Sequence, residues 1–468
     1  MDKFFKITEH GSTVKTEIIA GFTTFFAMAY IIFVNPNQVT GFTEGLSNIW
    51  NAVYVASILA ATIGTLLMAL YAKMPFAQAC GMGLNSFFFV SFILPQVIAG
   101  GDCVQGYQAG LVIVLISGII FMILSLTGAR QYIAKAMPEC LKKAIPAGIG
   151  LFITYIGFQN VGIIQANQYT LTQFVDIHGA INGEGGIMTV LPALLALLGF
   201  LLIVILGKRN VKGNVLIGII ITAVLYYVFS GTVPSFDITQ IGQSFKDFAD
   251  IGVTGVFHAA SWKHAFSPEF VGGVFSAILY IITFCLIDMF DTIGTLYGTA
   301  AQAGLLDENG DPQNLDKCMA CGSIETVSGA VLGTSTCTTF VESASGVAAG
   351  GRTGLTSLVV SICFFVCLFL TPLASLVPAC ATAPALIYVG VLMLGNFKNV
   401  DMSDLSSAAP AFLTLIAMPL TYSIANGIGI GSIAYTIIAI CTGKFQKKDI
   451  MVAIIGLLFC LKFIFITM

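Results

Sequence analysis

Apolar runs of about 17–25 residues recur along this chain, separated by short polar breaks. In the first half they lie near 18–34, 51–72, 76–94, 107–127, 141–160, 187–207 and 213–230. A polar stretch at 231–268 interrupts them, and they resume near 270–304, 318–333, 335–351, 354–371, 375–397, 405–425 and 427–443. Runs of this length cross the roughly 30 Å apolar core of a bilayer as helices, because a helix satisfies its own backbone there. The pattern predicts an all-α polytopic membrane protein with about seven spans in each half.

Composition agrees. Of the 468 residues, 57% are hydrophobic and 9% are charged, whereas a soluble domain carries about 25% charged residues. The opening tail, Met1 to Glu17, holds Lys3, Lys6, Glu9, Lys15 and Glu17. It is too polar for a cleaved signal peptide, so the first span is expected to insert directly. Net charge is −3 and no basic block stands out, which gives no reason to expect a nucleic-acid partner.

Positive charge fixes an orientation. Lys and Arg gather in the tail, at Arg130, Lys135, Lys142 and Lys143, and at Lys208, Arg209 and Lys212. The loops at 35–50, 95–106 and 161–186 contain none. This alternation predicts a multi-pass protein of the inner (plasma) membrane with a cytoplasmic N-terminus. By the same count Lys398, Lys444, Lys447 and Lys448 lie inside, which calls for a hairpin near Asn426-Gly427. The last apolar stretch, Ile450–Ile466, then either crosses, re-enters or replaces a span.

Twelve cysteines do not make a disulfide framework, since Cys80, Cys285, Cys363, Cys367, Cys441 and Cys460 fall inside apolar runs as small buried hydrophobes. Cys318 and Cys321 form a lone CxxC without a second pair, a weak metal or redox signal. His10, His178, His258 and His264 all lie outside the spans, which removes most haem and intramembrane-metal functions. No cofactor and no metal are expected.

The halves are faintly alike. Gly110-Leu111 with Ser117 and Phe121 matches Gly354-Leu355 with Ser361 and Phe365. Pro146-Ala147 with Tyr155-x-Gly157 parallels Pro378-Ala379 with Tyr388-x-Gly390. An odd number of spans per half makes such repeats inverted, as in many secondary transporters.

Two runs at corresponding places are poor helices. In the third, Gly81 and Gly83 interrupt Ala77 to Phe88, each at a cost of about 1 kcal/mol relative to alanine. In the tenth, Gly333 to Gly346 is rich in Thr and Ser, which favour extended backbone. Thr339-x-x-Glu342 has the form of a capping box. Each segment predicts a short extended strand feeding a half-helix, and paired interruptions point to a transporter's binding site. The eighth run contains Asp288 and Asp291, three residues apart, with Thr295 a turn beyond. Carboxylates at membrane depth mark ion or substrate paths. Glu325 is expected to bond a neighbouring helix, and Arg352 to snorkel towards the cytoplasm.

These residues resemble the AzgA-like adenine/guanine/hypoxanthine permeases of the nucleobase-cation symporter-2 superfamily. The likeness runs through Glu17 to Tyr30, Val34-Asn-Pro-Asn37, Gly81-Met-Gly-Leu-Asn85, Asp288-Met-Phe-Asp291-Thr-Ile-Gly-Thr-Leu and Thr334-Ser-Thr-x-Thr-Thr-Phe-Val-Glu342-Ser. It implies about fourteen spans as two inverted repeats of seven, commonly dimeric. A tail (1–17) precedes the first repeat (18–230), a connection (231–268) outside the cytoplasm, the second repeat (269–443) and a C-terminal segment (444–468). A core domain comes from 18–127 and 269–371, and a gate domain from 141–230 and 375–443. The resemblance places Asp291 and Glu342 against a purine base, and Thr295 stands where more distant uracil carriers have a histidine.

The chemistry suits that placement. Glu342 can accept from purine N–H groups, and backbone N–H groups near Phe340, Val341 and Asn85 can donate to ring acceptors. Phe22, Phe25, Phe26, Tyr30 and Phe87 are candidates to stack on the base. Asp291, Glu342 and Asp288 are the candidates for proton coupling, with Na⁺ left open as the coupling ion. The expectation is proton-coupled purine import by alternating access. Its rivals are an anion carrier of the same broad architecture, which two acids beside the site oppose, and a membrane redox protein or enzyme.

Overall fold

The computed structural model describes residues 2–127, 137–183, 186–233, 236–306 and 311–465; Arg130, Lys135 and Ile466 lie outside the described residues. The first span is two helices, α1 (Val14–Met28) and α2 (Ile31–Val39), joined by a turn at Ala29-Tyr30. Helix α3 (Ser47–Leu67) follows and ends in a π-helical turn, Met68–Ala72. The third span opens as strand β1 (Gln78–Cys80) and continues as α4 (Met82–Phe88). Helices α5 (Cys103–Thr127) and α6 (Glu139–Asn160) come next, then a hairpin of β2 (Ile164–Asn167) and β3 (Leu171–Phe174). Helices α7 (Leu191–Lys208) and α8 (Asn214–Ser230) complete the first half.

The second half starts with α9 (Val274–Ala303) and α10 (Leu315–Leu332). Strand β4 (Cys337–Thr339) and the short α11 (Ser343–Ala348) make up its broken span. Then come α12 (Gly354–Val366), α13 (Ala379–Leu394), α14 (Leu405–Leu420), α15 (Ile424–Cys441) and α16 (Ile450–Phe465). Among the described residues, 10 helical stretches are long and apolar enough to cross a membrane, with α8 and α14 as shorter apolar helices. The chain is an all-α polytopic membrane protein with a few short strands.

The halves pack on one another in an inverted-repeat-like way. Strand β1 pairs antiparallel with β4, in the register Gln78↔Thr339, Ala79↔Thr338 and Cys80↔Cys337. Helix α1 lies against α11 and α12, α3 against α10 and α12, and α5 against α10 and α9. A second group forms around α6, which packs on α13, α14 and α15, while α7 and α8 lie against α13. Helices α6 and α13 come from the paired sequence stretches. They meet where Gly150 and Gly390 each leave no room for a side chain, a Cβ on either reaching within 2.8 Å of the other's backbone. Such small-residue crossings let helices approach closely in a membrane, where water supplies no hydrophobic drive.

The strands survive at this depth because their backbone groups are matched. Gly81 N donates to Thr336 O at 2.9 Å and Phe340 N to Ala77 O at 3.0 Å. The Thr65 hydroxyl serves both Gln78 N and Gln78 O at 3.0 Å, and the Ser357 hydroxyl donates to Met74 O and Phe76 O.

The end of the tenth span is clamped by the start of the first. Fully buried Glu17 accepts from Arg352 N at 2.9 Å, Thr353 N at 3.2 Å and the Thr356 hydroxyl at 2.6 Å. The Arg352 guanidinium donates to the carbonyls of Val347, in the last turn of α11, and of Gly351 beyond it. Replacing Glu17 with alanine leaves these donors unmatched at a cost of about 3–5 kcal/mol. The purified variant is expected to melt well below the wild type in a detergent thermal-shift assay; equal melting would show that water replaces the clamp.

Two details differ from the sequence expectation. The hairpin before α15 falls at Thr421–Ser423, not at Asn426-Gly427, because Ser423 caps α15 through Asn426 N. The apolar C-terminal stretch forms α16, which runs back along α15. Gly456 lies against Ser432 and Ile433, and the Phe459 ring covers Gly429. Its Lys462 is buried over the rings of Tyr280 and Phe459.

Candidate substrate and ion site

The antiparallel pairing of β1 with β4 sends the two half-helices away from opposite ends of one strand pair. Helix α4 leaves beside Cys80 and Cys337, and α11 leaves beyond Gln78 and Thr339. The capping box expected at Thr339 and Glu342 is absent. Thr339 is a strand residue, and Glu342 is itself the residue before α11, making no side-chain cap. Its carboxyl group is therefore available for other contacts. Oε1 accepts from the Tyr30 hydroxyl at 2.6 Å, and Glu342 as a whole is half-buried.

Asp291, from α9, is half-buried within electrostatic reach of Glu342. None of the ion pairs among the described residues involves Asp288, Asp291, Glu325 or Glu342. Two neighbouring acids without an ion-pair partner among the described residues are an arrangement that can take up a proton or a small cation. Asp288 departs from Asp291 although they are neighbours on one helix. It is fully buried, accepts from the Thr326 hydroxyl of α10 at 2.7 Å, and keeps Oδ1 unpartnered. The same Thr326 hydroxyl touches N and O of Cys337 in β4, at 3.2 and 3.1 Å.

Glu325 is buried on α10, where the Gln78 amide, turned to its better orientation, donates to it at 3.1 Å. Its carboxyl fills the space above Gly64, 2.1 Å from where a Cβ would stand. Its bond is thus to strand β1 and not to a neighbouring helix, and it only packs against α3.

Asn85 is fully buried in the first turn of α4, and its amide donates to Asn35 Oδ1. Asn35 in turn donates to Ser57 and, at 3.4 Å, to Thr334. Asn85 Oδ1 has no partner. The backbone N–H groups narrow the list of donors. Those of Phe340 and Asn85 are engaged by Ala77 O and Gly81 O, while Val341 N–H carries no bond among the described residues. The Phe340 side chain is buried, and Val341 is 47% exposed.

The aromatic candidates separate. Phe25 packs edge-on against Phe364, and Phe26 is 47% exposed beside Phe22 on the outer face of α1. Phe87 is fully buried among Phe284 and Tyr280. Tyr30 alone of this group bonds an acid of the site. Sequence reasoning took Tyr30 as a stacking ring and gave Asn35 no role. An Asn-Pro pair directly after the first apolar run was the available signal for Asn35.

Residues 15–430 match the model of a family described as Permease family, Xan_ur_permease. The guanine/hypoxanthine permease PbuG of Bacillus subtilis is 42% identical over 473 residues, covering 100% of both chains. The adenine permease AdeP of Escherichia coli is 38% identical over 466 residues, covering 100% of this chain and 96% of that one. Among solved structures, the transmembrane domain of the cyanobacterial bicarbonate transporter BicA superposes with a TM-score of 0.59 at 16% identity. The match covers 88% of this chain and 96% of that chain, and it speaks for the fold alone.

Proposed function

Because the chain belongs to the Xan_ur_permease family, a family of secondary transporters and not of enzymes, we propose that it imports a purine nucleobase with protons across the inner membrane. The observation that carries this is the pairing of Asp291 and Glu342 at the broken span, without a cationic partner. The full-length likeness to permeases for guanine, hypoxanthine and adenine supports the substrate class.

In this mechanism Glu342 accepts a purine N–H, Val341 N–H donates to a ring acceptor, and Phe340 and Phe25 border the base. Phe26 and Phe87 act through packing. Asn85, which is enclosed, acts from behind the site through its bond to Asn35. Asp291 carries the coupling proton with Glu342, and Asp288 behind it answers to the same charge. About fourteen spans form two inverted repeats of seven, the N-terminus lies in the cytoplasm, and the protein works as a homodimer. The core domain, with the strand pair, moves against the gate built on α6 and α13. An anionic substrate is disfavoured because both side chains at the site are acids.

The test is uptake of labelled adenine, guanine and hypoxanthine into proteoliposomes, with proton and sodium gradients imposed separately. Accumulation driven by an inward proton gradient is expected. Failure of all three bases to accumulate, or accumulation driven by sodium alone, would overturn the proposal in its substrate or its ion.

A further inference from the structure

Tyr30 ends the turn between α1 and α2, and Glu342 stands immediately before α11, so one hydrogen bond ties the breaks of the first and tenth spans together. The ring of Tyr30 is fully buried. A phenol has one proton to donate, and here it goes to Glu342 Oε1. Helix α11 lies against α1 so closely that a Cβ on Gly346 would come within 1.9 Å of the Thr24 hydroxyl. The frame holding the two groups is therefore rigid on both sides.

A glutamate side chain has three rotatable bonds. Held by one oxygen, it keeps a fixed plane and presents the other. Oε1 is engaged by the phenol, whereas Oε2 accepts no hydrogen bond from another of the described residues and is not one of their enclosed, unpartnered polar atoms. The phenol can donate to Oε1 whether the carboxyl is ionised or neutral, since a carbonyl oxygen also accepts. The base N–H is then left to Oε2 of Glu342, with Asp291 close enough to hold the symported proton. The other titratable groups within electrostatic reach of the pair are Asp291 of α9 and Tyr388 of α13.

We propose that Tyr30 is a positioning residue for the purine site, holding Glu342 by Oε1 so that Oε2 faces the substrate. This rests on the purine–proton reading above, and it adds which oxygen of Glu342 meets the base.

Three variants in proteoliposomes test it: Tyr30→Phe, Glu342→Gln and the double variant. With Tyr30→Phe, KM for the transported purine is expected to rise about 10- to 100-fold, the worth of a hydrogen bond to a charged group. The maximal rate should stay near wild type, and the pH profile of uptake should move. The two losses should not add in the double variant, because both act through the side chain at position 342. A wild-type KM and pH profile in Tyr30→Phe, with Glu342→Gln impaired, would overturn the role of Tyr30 and leave the site assignment standing. Wild-type behaviour in Glu342→Gln would instead remove the acid from the site, and this inference with it. Should Tyr30→Phe fail to fold, a difluorotyrosine at position 30 keeps the ring while making the phenol more acidic. A displaced pH profile then supports the proposal, and an unchanged one overturns it.

Discussion

Replacing Glu342 with glutamine is expected to weaken purine binding about 30- to 100-fold and to flatten the pH dependence of uptake. The carboxylate accepts from the base without offering a competing donor, and a hydrogen bond to a charged acceptor is worth about 1.5–3 kcal/mol. Glutamine keeps the length and the fold of the side chain, and its carbonyl still accepts from Tyr30. What it loses is the ability to exchange a proton, and its NH₂ can turn against a base N–H. Equilibrium binding of labelled adenine and guanine at several pH values checks this. A variant that binds and responds to pH like the wild type would place the site elsewhere.

Replacing Asp291 with asparagine should separate movement from accumulation. Asp291 makes no hydrogen bond among the described residues and lies within reach of Glu342, so its replacement disturbs little of the packing. If it carries the coupling proton, the variant can still exchange labelled for unlabelled purine between the two faces of a vesicle. It cannot concentrate purine on a proton gradient. Counterflow near the wild-type rate with accumulation reduced more than about tenfold, equivalent to about 1.4 kcal/mol of lost driving force, is the expected pair of results. Loss of counterflow together with a lower melting temperature would make Asp291 structural, and retained accumulation would move the proton to another group. Asp288 is a poor substitute as the exchanging site, because it is enclosed and bonded to Thr326.

Much of this protein can be read along its chain. Hydrophobic runs specify the membrane helices because the bilayer allows few other backbones. The glycines of the third span and the threonines of the tenth mark the strands, since both weaken a helix locally. Asp291 and Glu342 stand out because an acid in an apolar run has a cost that needs a reason.

What each side chain touches was not legible in the same way. Phe22, Phe26 and Phe87 look alike in sequence, yet the first two are exposed on α1 and the third is enclosed by Phe284 and Tyr280. Thr339 and Glu342 have the spacing of a capping box, but pairing with Gln78 makes Thr339 a strand residue. Strand pairing with a residue far away in sequence outweighs that local preference.

The sequence by itself determined a membrane carrier with acids at a broken span, because hydrophobicity, helix propensity and the cost of burying charge are properties of short stretches. Only the tertiary structure decided that Asp288 bonds Thr326 while Asp291 lies within electrostatic reach of Glu342. It alone decided that Phe340 and Asn85 have spent their N–H groups, and that Tyr30 holds the acid. Those outcomes depend on which residues distant in sequence arrive at the same place, and a hydrogen bond is decided within a few tenths of an ångström.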